Sequence, residues 1–407
     1  MMKVSKNVLK AVILSVSLGT MVNNSASVIL GSMESEFPQV PKVTLQCFVT
    51  YPSLMVMLFT LVGGVLTTMI STKLVLLAGL VIFTVSGMAP MVMDDFNAML
   101  ISRLCLGAGM GMVSPLAVSL ITDFYEGEER VTLLGQQFAI GNVGQTASML
   151  VVGFLAAASW RQSFWVYSIG ALVFVIVLLF LPKNPPEKAA ALKQKRAAGK
   201  YEKEKATARG KVPKIPCNWK VAALAAAMFC YNTTYLTTYS NLALVMKQEG
   251  IGSETMVGYA MALMTASGMC TGMFFGRLYQ KYGRFLGAAS AAAVGLSFFF
   301  MVYASHMFLI AVSLILMGAG NALLMPFGYY HVSKAAPAGA SSLSMSVVNA
   351  AVSAGSFCSP FIFGNAVRIF GQNSGRFTFV LAAVVLLAAT VGLIVFAVRG
   401  TRGKAGE

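Results

Sequence analysis

Residues 101–121 read ISRLCLGAGMGMVSPLAVSLI, a largely apolar run whose single charged side chain is Arg103. A helix that crosses the hydrocarbon core of a bilayer needs about 20 consecutive, mostly apolar residues. The run is therefore long enough to span a membrane. Gly107, Gly109 and Gly111 place small residues along it, which allows a neighbouring helix to approach closely in lipid.

The composition of the whole chain extends this interpretation. The 407 residues are 57% hydrophobic and 11% charged, with a mean hydropathy of +0.75, whereas a soluble domain carries about 25% charged residues. We therefore predict an all-α membrane protein. Similar windows recur along the chain and predict twelve transmembrane helices, at 8–31, 43–69, 73–92, 97–122, 132–157, 163–182, 220–245, 254–276, 285–304, 306–330, 341–368 and 375–399.

Basic residues are divided unevenly between the two ends of these predicted helices. If the amino terminus is cytoplasmic, 24 of the 30 Lys and Arg residues fall on the cytoplasmic side. This positive-inside bias predicts a multi-pass protein of the plasma membrane with both termini in the cytoplasm. It also accounts for the net charge of +16, so nucleic acid is not expected as a partner.

A basic, proline-flanked segment at residues 183–219 is the clearest break in the chain. Its Lys, Arg and Glu content predicts a solvated cytoplasmic linker. It separates an N-terminal six-helix bundle, residues 1–182, from a C-terminal six-helix bundle, residues 220–400, and a cytoplasmic tail follows at 401–407. Two repeated halves of this kind are typical of transporters whose substrate pathway lies between the halves.

Three motifs carry a resemblance to a known family. RLCLGAGMG at residues 103–111 has the pattern R-x-x-x-G-x-G, TDFYEGEER occupies 122–130, and WRQSF occupies 160–164. With these motifs the chain resembles the major facilitator superfamily, and its N-terminal half is most similar to the drug:proton antiporter branch. The resemblance implies a monomeric, twelve-helix secondary transporter that works by alternating access. It also implies gating or motif roles for Gly64, Lys73, Arg103, Gly107, Gly111, Asp123, Arg130, Gly276, Gly283 and Arg284.

The chain departs from the family pattern in its acidic residues. The acid of the family's cytoplasmic loop is replaced by Thr68 in the first half and by Gln280 in the second. GNVGQTASMLVVG, residues 141–153, lacks the Gly-Pro signature of antiporters. No Asp or Glu occupies the middle of a predicted helix, although proton-coupled transporters usually need a titratable group there. A coupling ion such as a proton therefore stays an open question.

Polar residues inside the predicted helices are the candidates for substrate binding. In CYNTTYLTTYSN, residues 230–241, Asn232, Tyr235 and Tyr239 recur at i, i+3 and i+7, which predicts one helical face. They form either a cavity wall suited to an amphipathic molecule or an aromatic belt at the outer interface. The remaining candidates are amides in helices that the family places around its cavity: Asn23, Asn24, Gln46, Gln137, Asn142, Gln145, Asn321 and Asn349.

Arg103 is the least expected residue in this set. A charged side chain within a span costs about 2.5–3.5 kcal/mol on insertion scales. Three interpretations are open: helix packing against backbone carbonyls, coupling or gating, and direct contact with substrate.

The predicted function is secondary transport of a small organic, amphipathic solute, with export or exchange favoured. The alternatives are import of an organic anion attracted by Arg103, and a membrane sensor that does not transport. An enzyme is not expected, because the sequence has no HExxH, GxSxG or phosphate-loop motif and no metal-ligand spacing. No cofactor or metal is predicted. The expected partners are the small-molecule substrate and the lipid bilayer.

Overall fold

The computed structural model describes residues 6–20, 22–125, 127–182, 219–336, 341–371 and 375–402, and every regular element in these ranges is helical. The predicted linker lies outside the described residues except for Trp219, and so does the tail beyond Arg402. The division of the chain into two bundles joined by this linker therefore stays a prediction.

Within the described residues, seven α-helices and three 3-10 segments precede the linker. The 3-10 segments are Asn23–Ile29, Ala89–Met91 and Trp160–Ser168. The α-helices are α1 Lys6–Thr20, α2 Leu30–Glu36, α3 Lys42–Met69, α4 Thr72–Met88, α5 Phe96–Phe124, α6 Gly127–Ala156 and α7 Ile169–Phe180.

Seven more α-helices lie in the part of the chain described after the linker. They are α8 Trp219–Gln248, α9 Glu254–Gly272, α10 Phe275–Tyr282, α11 Phe285–Tyr303, α12 Met307–Ala335, α13 Ser341–Ile369 and α14 Gly375–Arg402. Among the described residues, eight helices are long and apolar enough to cross a bilayer, or nine if α9 and the bent α10 count together. The count of twelve stays a prediction.

The first predicted window, residues 8–31, is not one continuous helix. It is divided into α1, the 3-10 segment Asn23–Ile29 and α2. The Ser27 hydroxyl donates to the Asn24 carbonyl oxygen at 2.6 Å within this segment. Such local side-chain bonds to the backbone compete with α-helical bonding, so the run of Asn and Ser is a physical reason for the break.

The glycines of α5 bring it against two neighbouring helices. A methyl group added at Gly107 would overlap the backbone of Pro52 in α3, and one added at Gly111 would lie 2.9 Å from the Val56 carbonyl oxygen. At Gly109 it would lie 2.8 Å from the Gly79 carbonyl oxygen in α4. These backbones approach closely because glycine has no side chain there.

Residues before the linker contact residues after it toward one end of the bundle. Gly153 of α6 crosses Gly258 of α9, where an added methyl group on Gly258 would lie 2.8 Å from the Gly153 Cα atom. The Thr255 hydroxyl donates to the Gly153 carbonyl oxygen at 2.9 Å. Lys247 of α8 donates to the Gly31 carbonyl oxygen at 2.8 Å. We call this region, where residues 24–51 and 145–153 meet residues 239–265 and 357–364, the closed end.

Candidate functional site

Arg103 is enclosed among aromatic rings. Its side chain is 1% exposed, and Nη1 donates to the Tyr167 hydroxyl at 2.9 Å. The guanidinium carbon lies 4.2 Å from the ring centre of Phe48, 4.9 Å from that of Phe164 and 5.1 Å from that of Tyr167. Within the described residues, Nε and Nη2 have no hydrogen-bond partner. The geometry fits the helix-packing interpretation, with rings and a hydroxyl as partners instead of backbone carbonyls.

The position of these rings explains why the charge is tolerated. Phe48 belongs to α3, while Phe164 and Tyr167 belong to the 3-10 segment Trp160–Ser168. A guanidinium over an aromatic face is stabilised by the ring quadrupole, and the gain grows when water is excluded. Arg103 therefore joins α5 to α3 and to the segment that opens with the WRQSF motif.

Three tyrosines form a line along α8. Tyr231, Tyr235 and Tyr239 are buried, and each ring centre lies 5.9 Å from the next. We call them the tyrosine ladder. The Tyr231 hydroxyl donates to Oδ1 of Asn321 in α12 at 2.7 Å. Tyr239, at the other end of the ladder, lies close enough to Asn24 and to Gln145 of α6 for its hydroxyl to interact with both. The ladder thus reaches residues that lie before the linker.

Asn232 bonds to a different helix from Tyr231. Its Nδ2 donates to the Val352 carbonyl oxygen in α13 at 2.7 Å and also to the Ser356 hydroxyl. The ring that continues the row of Tyr235 and Tyr239 is that of Tyr231, which stacks on Tyr235 at 5.9 Å. The role of Asn232 in substrate binding stays a prediction.

Polar side chains also form hydrogen bonds between residues before the linker and residues after it. Gln46 of α3 is buried and donates from Nε2 to Oδ1 of Asn241 in α8 at 2.8 Å. The hydroxyls of Thr146 and Thr265 lie 2.8 Å apart. Asn241 was not among the predicted residues, although it ends the polar stretch of residues 230–241.

The other predicted amides are scattered. Asn349 accepts from the Tyr329 hydroxyl at 2.7 Å, a contact within the part of the chain after the linker. Gln137 is buried, and its Oε1 has no partner among the described residues. Asn142 is half-buried in α6. The side chain of Asn23 lies outside the described residues.

The residues assigned gating or motif roles have different surroundings. Lys73 donates to the carbonyl oxygens of Leu178 and Leu181 at 2.8 and 2.6 Å, so it caps the end of α7. Gly283 has a φ of +54° and ends α10. The side chains of Asp123 and Arg130 lie outside the described residues.

Two of the motif glycines lie within helices. Gly64 lies inside α3, which continues to Met69. Gly276 lies in the first turn of α10, while α9 ends at Gly272. Arg284 directly precedes α11.

A cavity of about 280 Å³ lies at the ends of α2, α3 and α5 and contains none of the predicted substrate-binding residues. Phe37, Pro41, Asp94 and Asp95 are among its lining residues. In the part of the chain that the structure describes, no group of three or more His, Cys, Asp or Glu residues is placed to hold a metal ion.

Helices of membrane-spanning length, with polar side chains from distant parts of the chain meeting between them, define a membrane transporter. The chain belongs to the Major Facilitator Superfamily, whose family model matches residues 12–307. Membership confirms the resemblance drawn from the motifs at residues 103–111, 122–130 and 160–164.

Sequence relatives support the same class. The chain is 33% identical over 125 residues to the quinolone resistance protein NorA of Staphylococcus aureus, a match that covers 30% of this chain and 32% of that protein. The chain thus spans about a third of the NorA length in this match. It is 22% identical over 329 residues to the MFS-type transporter YceJ of Bacillus subtilis, with 80% of each chain covered.

Solved structures share the fold. The nucleoside transporter NupG superposes with a TM-score of 0.76 at 15% identity, covering 95% of this chain and 99% of that one. The xylose transporter XylE from E. coli, in an inward-open conformation, superposes with a TM-score of 0.72 at 15% identity, covering 95% of each chain. At these identities the likeness concerns the fold alone.

Proposed function

We propose that the protein is a secondary active transporter that moves a small organic, amphipathic solute by alternating access, with export or exchange as its direction. The observation that carries this proposal is the meeting of the tyrosine ladder with Asn24 and Gln145, which come from the other side of the linker. Phenol rings with hydroxyls and amides offer apolar area and hydrogen bonds together. This combination suits a solute that has an aromatic or aliphatic body and a few polar groups.

The distribution of polarity among the helices supports a pathway at this place. Of the long helices, α6 and α8 are the least apolar. α6 and α8, together with the 3-10 segment after α1, supply Gln145, Tyr239 and Asn24. Polar residues inside a membrane usually face a protein interior or a water-filled pathway and not lipid. The least apolar helices are thus those that would line the route.

Export is favoured over anion import for two reasons. The NorA relative is named for quinolone resistance, a name that fits efflux of an amphipathic aromatic compound. Arg103, which motivated the anion alternative, is 1% exposed and points into an aromatic enclosure. An anion in the pathway would not meet its charge directly.

The topology is part of the same proposal. Twelve spans in two six-helix halves follow from the apolar windows on either side of the linker. A cytoplasmic linker and cytoplasmic termini follow from the distribution of basic residues. On this topology the closed end faces outward. A single cysteine placed in the linker of a cysteine-free background should react with a membrane-impermeant maleimide only after permeabilisation. Labelling of intact cells would contradict the topology.

The direct test of transport uses proteoliposomes with an imposed pH gradient of either sign and a panel of amphipathic and anionic solutes. We expect accumulation of an amphipathic solute. Tyr239→Phe, which removes the hydroxyl that interacts with Asn24 and Gln145, should slow it. Tyr303→Phe makes the same change on an exposed side chain and serves as the control. Absence of transport for every solute would favour the sensor alternative, and accumulation of anions alone would favour the importer.

A further inference from the structure

The turn between α8 and α9 has a defined shape. The Gly250 N–H donates to the Lys247 carbonyl oxygen at 3.2 Å. The Ile251 N–H donates to the Met246 carbonyl oxygen at 2.9 Å. This pair of bonds closes α8 with a Schellman motif, which needs a left-handed residue, and Gly250 has a φ of +65°. Lys247 and Glu254, on either side of the turn, are thereby close enough to interact electrostatically.

The turn is fixed to the part of the chain after the linker. Glu249 forms an ion pair with Arg376, the second residue of α14. Nη2 of Arg376 also donates to the carbonyl oxygen of Ala304, directly after α11, at 2.6 Å. The ends of α8, α11 and α14 are therefore joined at one point. We expect the turn to move together with these helices.

Two charged side chains of the turn contact α2, which lies before the linker. Nζ of Lys247 donates to the Gly31 carbonyl oxygen at 2.8 Å. The carboxylate of Glu254 accepts from the hydroxyl of Ser32, the next residue of α2. Lys247 lies in the last turn of α8 and Glu254 in the first turn of α9. The helix dipole favours each charge at its position.

The contacted helix α2 lies on the way from the tyrosine ladder to the surface. The 3-10 segment Asn23–Ile29 separates α2 from α1, so the two are not parts of one continuous helix. From Asn24, beside Tyr239 of the ladder, the chain runs through α2 to the exposed Glu36. Holding α2 against the α8–α9 turn therefore closes the bundle on that side of the ladder.

We propose that Lys247 and Glu254 form a latch, which holds α2 against the α8–α9 turn and releases when the closed end opens. Both are positioning residues and do not contact the solute. In the shut form each charged group bonds to a residue from the other side of the linker, and in the open form water takes the place of that partner. The net free energy of such an exchange is small, so the latch is reversible. The inference rests on the alternating access proposed above, but its measurement needs no transported solute.

The test measures the distance between spin labels at Gln39 and Ser305 in the full-length protein. Both positions are exposed, and they lie on opposite sides of the linker. Glu254→Ala removes the acceptor of the Ser32 hydroxyl, and Lys247→Met removes the ammonium group but keeps the length of the side chain. Each change should lower the ratio of shut to open molecules by roughly 2- to 10-fold, the range for one net hydrogen bond.

Glu254→Gln separates the hydrogen bond from the charge. Its side-chain oxygen can still accept from Ser32, so the ratio should lie nearer to that of the native protein than in Glu254→Ala. Thermal unfolding in the same detergent identifies variants that are not folded. Ser32→Ala, which removes the donor, replaces Glu254→Ala if that variant fails to fold.

A pair of glycines supplies a matched control for the shape of the turn. Gly250→Ala strains the left-handed position and leaves both latch side chains in place. Gly371, in the turn after α13, has a φ of +64°. An added methyl group meets no atom within 4 Å at either glycine. Gly250→Ala should therefore lower the ratio of shut to open molecules, and Gly371→Ala should not.

Two results would overturn the inference. The first is an unchanged distance distribution in the folded Glu254→Ala and Lys247→Met variants. The second is an equal shift in Gly250→Ala and Gly371→Ala, which would indicate a general loosening of the bundle. Failure of the proposed function is recognised separately, because a native protein that transports no solute would contradict transport, whereas a shift in the latch variants would still support the latch.

Discussion

Gly258→Ala should shift the protein away from the conformation in which the closed end is shut. The added methyl carbon would lie 2.8 Å from both the Cα atom of Gly153 and the carbonyl oxygen of Met149. Carbon atoms in ordinary contact are about 3.5–4.0 Å apart, so α6 and α9 would have to separate by roughly 1 Å. Both obstructing atoms belong to the backbone, so a change of side-chain rotamer cannot relieve the overlap.

The free-energy cost of Gly258→Ala is that of overpacking a protein interior. Extra methylenes in a packed interior typically cost about 1–3 kcal/mol, and here the cost falls on the shut form alone, because opening separates the two helices. A difference of this size changes the ratio of shut to open molecules by about 5- to 150-fold. Gly153→Ala should act in the same direction but less strongly, since its added methyl group lies 3.0 Å from the Gly258 Cα atom.

The assay is the distance between spin labels at Gln39 and Ile369, which are exposed near the closed end on either side of the linker. We expect a longer-distance population to grow in Gly258→Ala. Gly392→Ala is the matched control, because an added methyl group there meets no atom within 4 Å. Both changes raise helix propensity by about 1 kcal/mol in either conformation. Identical distance distributions for the two variants would refute the reasoning.

Three further changes test the contacts around the site. Arg103→Lys and Arg103→Ala should lower the melting temperature, because the ring contacts and the bond to Tyr167 contribute about 2–4 kcal/mol. Transport per folded molecule should stay near normal. A selective loss of transport would indicate gating instead. Gln46→Leu leaves the buried Oδ1 of Asn241 without its donor, which costs about 1–3 kcal/mol. The distance between the same spin labels should therefore lengthen. An unchanged distance would show that this bond does not help to hold the closed end together. Gly107→Ala should reduce the yield of folded protein, because the added methyl group overlaps the backbone of α3. Normal yield and melting temperature would show that α3 and α5 can move apart without loss of stability.

The class of protein followed from composition alone. A chain that is 57% hydrophobic and 11% charged cannot cover its surface in water, and backbone groups in lipid have to be satisfied within helices or closed barrels. The first and last residues of a helix are also predictable where the apolar run is long and uniform. The predicted window 43–69 became Lys42–Met69, and 285–304 became Phe285–Tyr303. In such runs hydrophobic burial and helical bonding favour the same residues.

Local order was less predictable where polar residues interrupt a run. The window 8–31 contains Ser27, whose side chain bonds to nearby backbone, and the helix breaks there. The window 254–276 continues into α10 after a sharp bend. Neither change is visible in average hydropathy, because it depends on which hydrogen bonds replace those of a regular helix.

The partners of the candidate site residues were decided by the tertiary structure. Arg103 was recognisable as an unusual charge, but its enclosure requires Phe48 and Tyr167, which are far from it in the sequence and meet it only when α3 and the 3-10 segment pack against α5. Asn232 and Tyr231 are neighbours on α8, yet one bonds to α13 and the other to α12. A sequence specifies the period of a helix and thereby the possible faces. Which face meets which neighbour depends on close packing between segments that are distant along the chain, and this packing exists only in the folded protein.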